Sequence, residues 1–212
     1  MVDSTPQSPL QARRQQELEL RRADVLAVAT SVFAERGFNG AQVGEIAGRA
    51  QVSNSTIYGL FGGKEELYLA VLREVSLGIR SRVGDAVEAI SDPVERLLAV
   101  VDALAETFES DRQLLHLFIR DSHSQPWQVR ERLGDQGLAI YHEFSEWIAK
   151  SAQIAREVGR LRVLSPETFA HFLLGAVATA LVRSMEDEPE QSLLELGAEL
   201  RAGVARLFED PA

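Results

Sequence analysis

The chain contains no cysteine, which excludes disulfide staples, thiolate metal sites and cysteine nucleophiles. It also lacks a long apolar run. The longest uncharged, mainly apolar stretch is Phe172 to Val182, 11 residues, whereas a membrane-spanning helix needs about 20. That stretch reads as a buried or interface helix, and no membrane partner is expected. The opening residues, MVDSTPQSPLQARR, have no apolar segment of the kind a secretory signal requires, so the expected location is the cytoplasm. The residues three positions before His116, His123, His142 and His171 are Gln113, Arg120, Ala139 and Thr168. None is a carboxylate, which argues against the Glu-x-x-His pairs of helical diiron proteins. No glycine-rich phosphate loop, nucleophile–base set or metal-ligand cluster appears. The expectation is therefore a non-enzyme with no catalytic residue, no metal and no cofactor.

What is present is an ordinary folding composition. The 212 residues are 45% hydrophobic and 25% charged, enough for one large or two small domains with a real core. The net charge is −10, but it is unevenly spread. Residues 1–72 carry seven basic and eight acidic side chains, and the remainder carries fifteen and twenty-four. A near-neutral amino-terminal part can still present a basic face while the acidic body points elsewhere.

The apolar spacing is helical throughout, and no stretch alternates with a period of two. After a polar tail over residues 1–9, Val25, Leu26, Ala29, Val32 and Phe33 share one helix face, with Gly37 as a stop. Val43, Ile46, Ala47 and Ala50 form a short second stripe; Ser53 is a helix cap, and Ile57 and Phe61 lie four apart on the helix it opens. Gly62-Gly63 ends that helix and Lys64 begins a longer one. Pro93, Pro126 and Pro166 mark further helix starts, with helices expected near 112–122, 126–133, 136–158, 166–187 and 190–208. The predicted class is all-α: a three-helix helix-turn-helix domain over residues 10–66, then a larger helical domain over residues 67–210.

The informative stretch runs from Val43 to Tyr68, VGEIAGRAQVSNSTIYGLFGGKEELY. It reads as two short helices joined by a tight turn at Gln51-Val52-Ser53. Burying Val43, Ile46, Ala47, Val52, Ile57 and Phe61 together leaves the polar start of the second helix, Asn54-Ser55-Thr56, exposed. A helix start offers free backbone N–H groups and a positive dipole end, which suit phosphate. A helix also fits the major groove, where small polar side chains reach base edges.

This stretch resembles the TetR family of DNA-binding regulators. The matching elements are Phe33-Ala34-Glu35-Arg36-Gly37-Phe38, Ile46-Ala47, Ala50-Gln51-Val52-Ser53, Thr56-Ile57-Tyr58-Gly59-Leu60-Phe61 and Lys64-Glu65-Glu66-Leu67. The resemblance spans about residues 21–72. It implies that Thr56, Tyr58 and Lys64 hold the DNA backbone and that Asn54 and Ser55 meet base edges. Gln42 and Ser53 add contacts at the two helix starts. Five positions depart from the pattern. Gln51 stands where glycine is usual, so the turn is expected to avoid a left-handed backbone; Ala41 replaces a capping threonine; Gly59 and Leu60 replace bulkier residues, and Gly63 replaces a capping serine. Taken singly, Tyr58 and Phe61 fit a core as well as an interface, and Lys64 fits a solvated surface. Arg13, Arg14, Arg21 and Arg22 read either as phosphate contacts or as a salt-bridged face with Glu17, Glu19 and Asp24.

The resemblance further implies a transcription regulator, commonly a repressor, released from a palindromic double-stranded DNA operator by a small-molecule effector. It also implies a homodimer through the last two long helices, near 166–187 and 190–208. The first of these carries Gly175, Ala176, Ala178, Thr179 and Ala180; the second carries a seam of Leu193, Leu196, Leu200, Val204 and Leu207. Packing of both faces within one chain is the alternative. Phe108, Phe118, Trp127, Tyr141, Phe144 and His171 are the candidate effector lining. A helical adaptor that has kept this fold and lost DNA binding is the rival reading.

Overall fold

In the computed structural model, residues 9–113, 117, 126–186 and 192–209 are described. Residues 1–8 of the tail expected over 1–9, and most of the expected helix near 112–122, lie outside them. Every described element is helical, and the chain divides into two units, Met1–Val71 and Leu72–Ala212.

The first unit begins with α1, Pro9–Gly40. Its stripe of Val25, Ala29, Val32 and Phe33 is fully buried, as three- and four-residue spacing on one face requires. Gly37 was expected to end this helix. Instead the backbone breaks there (φ 67°, ψ 173°), and the Ala41 amide donates to the Gly37 carbonyl at 3.1 Å. The break brings Phe38 onto the core. Phe33 meets Tyr68 edge-on at 4.7 Å, and Phe38 lies 5.1 Å from the same ring. Three short steps follow: α2, Val43–Arg49; α3, Asn54–Phe61; and α4, Lys64–Val87. The first turns of α4 place Leu67, Tyr68 and Val71 in this core.

In the second unit α5, Pro93–Ser110, opens with proline in its first turn and is capped by Asp92, whose carboxylate accepts from the Val94 and Glu95 amides at 2.9 Å each. It is the central helix, buried along most of its length. The helices expected at 126–133 and 136–158 form one element, α6, Pro126–Glu157, bent where Gly134 takes φ 64°. After it come α7, Pro166–Glu186, and α8, Leu193–Ala205, which ends in a 3-10 turn, Arg206–Phe208. By length and composition α7 could cross a membrane, but Phe169, Ala170, Leu173, Leu174, Val177 and Leu181 on one side of it belong to the core.

The leucine seam of α8 was read as facing a second copy of the chain. The structure turns Leu193, Leu196 and Val204 into the chain's own core, because α8 packs lengthwise on α5. Arg201 fastens that contact, donating to Asp102 at 2.8 Å and to Glu95 at 2.6 Å. The two helices approach closely at Gly197, where an added Cβ would stand 2.7 Å from the Ala105 Cβ. Neither atom can swing aside, so Gly197→Ala is expected to destabilise the protein by about 1–3 kcal/mol. A lower urea midpoint with unchanged helicity checks this.

Candidate nucleic-acid interface

The site is built on α2 and α3. The α2 helix has Glu45 in its first turn and Arg49 in its last, which suits the helix dipole at both ends. The two also pair at 2.7 Å, and Arg49 makes a second, two-pronged bridge to Glu35 on α1. The Arg49 hydrogen bonds hold the Glu35 carboxyl below the usual carboxylate range. Both groups are thus charged and mutually neutralised at neutral pH, and Arg49 is committed to joining α1 and α2 rather than to a ligand.

The α2–α3 turn closes through two backbone bonds, Gln51 N–H to the Gly48 carbonyl at 3.3 Å and Val52 N–H to the Ala47 carbonyl at 2.9 Å. This is the Schellman arrangement, which puts the residue after the helix cap in the left-handed region. That residue is Gln51, with φ 54°. The expectation that glutamine here avoids a left-handed backbone is therefore corrected: the closing hydrogen bonds impose the conformation whatever the side chain. The same two-bond closure ends α6, from Gly159 and Arg160 to Arg156 and Ala155, and there a glycine takes φ 73°.

Ser53 caps α3, its hydroxyl accepting from the Thr56 amide at 3.1 Å and lying 2.7 Å from the Ser55 hydroxyl and 2.9 Å from that of Thr56. The hydroxyls of Ser53, Ser55 and Thr56 thus form one cluster over the start of α3. Asn54 is exposed, with its Nδ2 over Gly44 at the start of α2; a Cβ there would stand 4.0 Å from it. Ile57 and Phe61 are buried on the inner side of α3, whereas Tyr58, one residue after Ile57, is 53% exposed. Gly59 is exposed too, and nothing lies within 4 Å of where its Cβ would stand. Gly62, at φ 96°, ends the helix. Lys64 follows at the start of α4, half-buried, with its Nζ over the Phe38 ring at 4.7 Å. Gln42 caps α2 with no side-chain hydrogen bond and is exposed. Ala41 is buried, so it presents no group to a ligand.

The seven residues named from sequence for DNA therefore fall on two short helices and the start of a third. Gln42, Ser53, Asn54, Ser55 and Tyr58 are exposed, and Thr56 and Lys64 are half-exposed. Sequence reasoning gave Arg22 only as a phosphate contact or as part of a salt-bridged face, and missed the partner the structure gives it. Its guanidinium donates to the Leu60 carbonyl at 2.9 Å and lies 4.3 Å from the centre of the Phe61 ring, tying α1 to the end of α3. The signal for it was faint, since an arginine among four arginines and three acids does not announce a partner 38 residues away.

The effector candidates are more dispersed. Phe108 is buried in the core. Tyr141 lies 6.1 Å from His171, which is exposed and hydrogen-bonded through Nδ1 to the Glu167 carbonyl. Burial raises the Tyr141 phenol above its ordinary value, so it stays protonated and able to donate. Phe144 packs on Trp147 instead, at 5.9 Å. Phe118 and the Trp127 side chain lie outside the described residues. A cleft of about 490 Å³ in the second unit is lined by Arg82, Ala86, Ala103, Glu106, Thr107, Ser110 and Asp111, and none of the described candidates is among them. Among the described residues no group of three His, Cys, Asp or Glu is placed to hold a metal ion.

The fold and this site define an all-helical chain with an amino-terminal helix-turn-helix. Residues 25–71 match the model of the bacterial regulatory proteins of the tetR family. The helix-turn-helix transcriptional activator FasR of Mycolicibacterium smegmatis is 38% identical over 109 residues, 51% of this chain and 50% of that protein. The regulator HbdR of an Aromatoleum strain is 30% identical over 107 residues, 50% of this chain and 47% of that protein. The chain thus spans about half the length of these relatives. Among solved structures, the fatty acid degradation regulator FadR of Bacillus halodurans superposes with a TM-score of 0.75 at 17% identity, over 94% of this chain and 96% of that one. That likeness is one of fold.

The geometry of the turn carries a test. Gln51→Gly removes left-handed strain, typically about 1–3 kcal/mol for a non-glycine residue, against the larger unfolded-state freedom of glycine. The expected net gain is about 0.5–1 kcal/mol, seen as a raised urea midpoint.

Proposed function

We propose that this chain is a DNA-binding transcription regulator of the cytoplasm, acting as a homodimer on a palindromic operator and released from it by a small-molecule effector. The observation that carries the reading is the two-sided character of α3. Ile57 and Phe61 hold its inner side in the core, while Asn54, Ser55 and Tyr58 stand outward at the exposed start of the helix. Asn54 and Ser55 are assigned to base edges. Gln42, Ser53, Thr56, Tyr58 and Lys64 are assigned to phosphates, which fix register without reading sequence. Repression is the proposed sense of regulation. The relatives' names include an activator, FasR, and repressors such as DhaR of a Mycobacterium strain, so a promoter–reporter measurement decides it.

The proposed dimer uses the outer faces of α7 and α8. On α7, Phe172 is 46% exposed, and Gly175, Ala176 and Thr179 continue its stripe at three- and four-residue spacing. On α8, Leu194 is 49% exposed and Ala198 and Ala202 follow at intervals of four. Small residues at these places let helices of two copies approach closely. A dimer would set two copies of α3 about 34–36 Å apart, one turn of duplex. The effector would act by favouring one spacing over another through its different affinity for the two shapes. A fold neighbour, FadR of Bacillus subtilis, was solved in complex with stearoyl-CoA, which supports a small-molecule ligand as the kind of effector.

On an operator selected from random duplexes, Tyr58→Ala and Lys64→Ala are expected to weaken binding to every sequence, with the salt slope falling by about one for Lys64. Asn54→Ala is expected to relax preference at one base pair, at a cost of about 1–3 kcal/mol on the preferred base. Unchanged affinity in all three removes the assignment. Light scattering is expected to give about twice the 23.4 kDa chain mass, and Phe172→Glu is expected to reduce it to one.

A further inference from the structure

We infer that the first half of α1 is a second DNA-holding element, an arginine face that takes backbone phosphates flanking the segment met by α3. The inference rests on the DNA-binding reading above. Residues 10–24 of α1 are exposed without exception, a stretch of about 20 Å at the rise of an α-helix. Burial of an apolar stripe begins only at Val25, which is also where the family match begins. Apart from Arg22, whose guanidinium reaches Leu60 and Phe61, the side chains of this half of the helix are left to solvent.

The charges along it are sorted by face. Arg14, Leu18 and Arg21 precede Val25 at spacings of four, three and four, so they extend the stripe that turns toward α2 and α3. Arg22 precedes Ala29 and Phe33 by seven and eleven on the neighbouring row of that face. No acid shares it. Arg13, Glu17, Leu20 and Asp24 recur at four, three and four on the adjacent row, where Arg13 pairs with Glu17 at 3.8 Å, and Glu19 accepts from Gln15 at 3.0 Å. Among the described residues neither Arg14 nor Arg21 has an ion-pair partner.

Arg22 joins this face to the proposed interface, since its guanidinium holds the Leu60 carbonyl and stacks on Phe61 at the end of α3. Two guanidiniums without an ion-pair partner thus continue outward from the recognition helix along one row of α1, in a chain whose net charge is −10. A polyanion that also contacts α3 is the partner this arrangement fits. A lipid surface fits poorly, because the exposed Leu18 and Leu20 lie on opposite faces and form no apolar stripe.

The test uses the full chain carrying Arg14→Ala and Arg21→Ala together, with Arg13→Ala as a control. Binding is titrated between 50 and 200 mM salt on the selected operator, on the same operator with its flanking base pairs trimmed, and on random duplex. The double variant is expected to lower the salt slope by about two, to weaken operator and random DNA by the same factor, and to bind full and trimmed duplexes alike. The control keeps the wild-type slope, and circular dichroism shows unchanged helicity for all three proteins. A double variant with the wild-type slope overturns this inference while leaving the assignment of α3 intact. A wild-type chain that binds no duplex overturns both.

Discussion

A helix of eight residues cannot hold itself together in water, because nucleation is costly and too few backbone bonds follow to offset it. The α3 helix exists because its inner side is anchored and its ends are stopped. Ile57 and Phe61 are withdrawn from solvent, the Ser53 hydroxyl takes up the Thr56 amide, and Gly62 leaves the helix at a φ that few other residues adopt. Anchoring one side commits the other to solvent. With anchors at Ile57 and Phe61, Tyr58 and Gly59 must face out, and the residues before Ile57 become the exposed tip. The outward chemistry of the site is thus a consequence of the inward packing.

The core of the first unit holds an aromatic cluster. Phe33, Phe38 and Tyr68 come from three places in the chain and meet within 4.7–6.3 Å. The break at Gly37 is what allows Phe38 to turn onto Tyr68 rather than continue around α1. Lys64 uses the same ring from outside, its ammonium resting over Phe38. One aromatic side chain therefore serves both the core and the placing of the cation at the start of α4.

Net charge is a poor guide to what such a surface presents. Arg49, Arg36 and Arg13 are engaged with carboxylates of their own unit and count for little beyond it. The cations left over, Arg14, Arg21 and Lys64, sit on α1 and at the foot of α4. Pairing of some arginines with carboxylates and not of others gives an acidic chain local basic groups, a distribution that composition averages away.

Much of the first unit could be read from residue order, because its determinants are local. A serine before a polar-then-apolar octet caps a helix, a glycine pair ends it, and proline opens α5 and α7. Tyr58 beside Ile57 must point the opposite way. What residue order left open were choices made by contacts distant in sequence. Gln51 is left-handed because the amides of residues 51 and 52 must reach back across the turn, and this overrode the side chain's own preference. The leucines of α8 repeat as a dimer seam would, yet they close on α5, since a periodic stripe states that a face is buried and not against what. Arg22 found its carbonyl 38 residues away. Spacing along the chain determined which side of each helix is apolar, because a regular backbone converts sequence interval into direction; only the tertiary structure decided what each side meets, because that depends on where other helices come to lie.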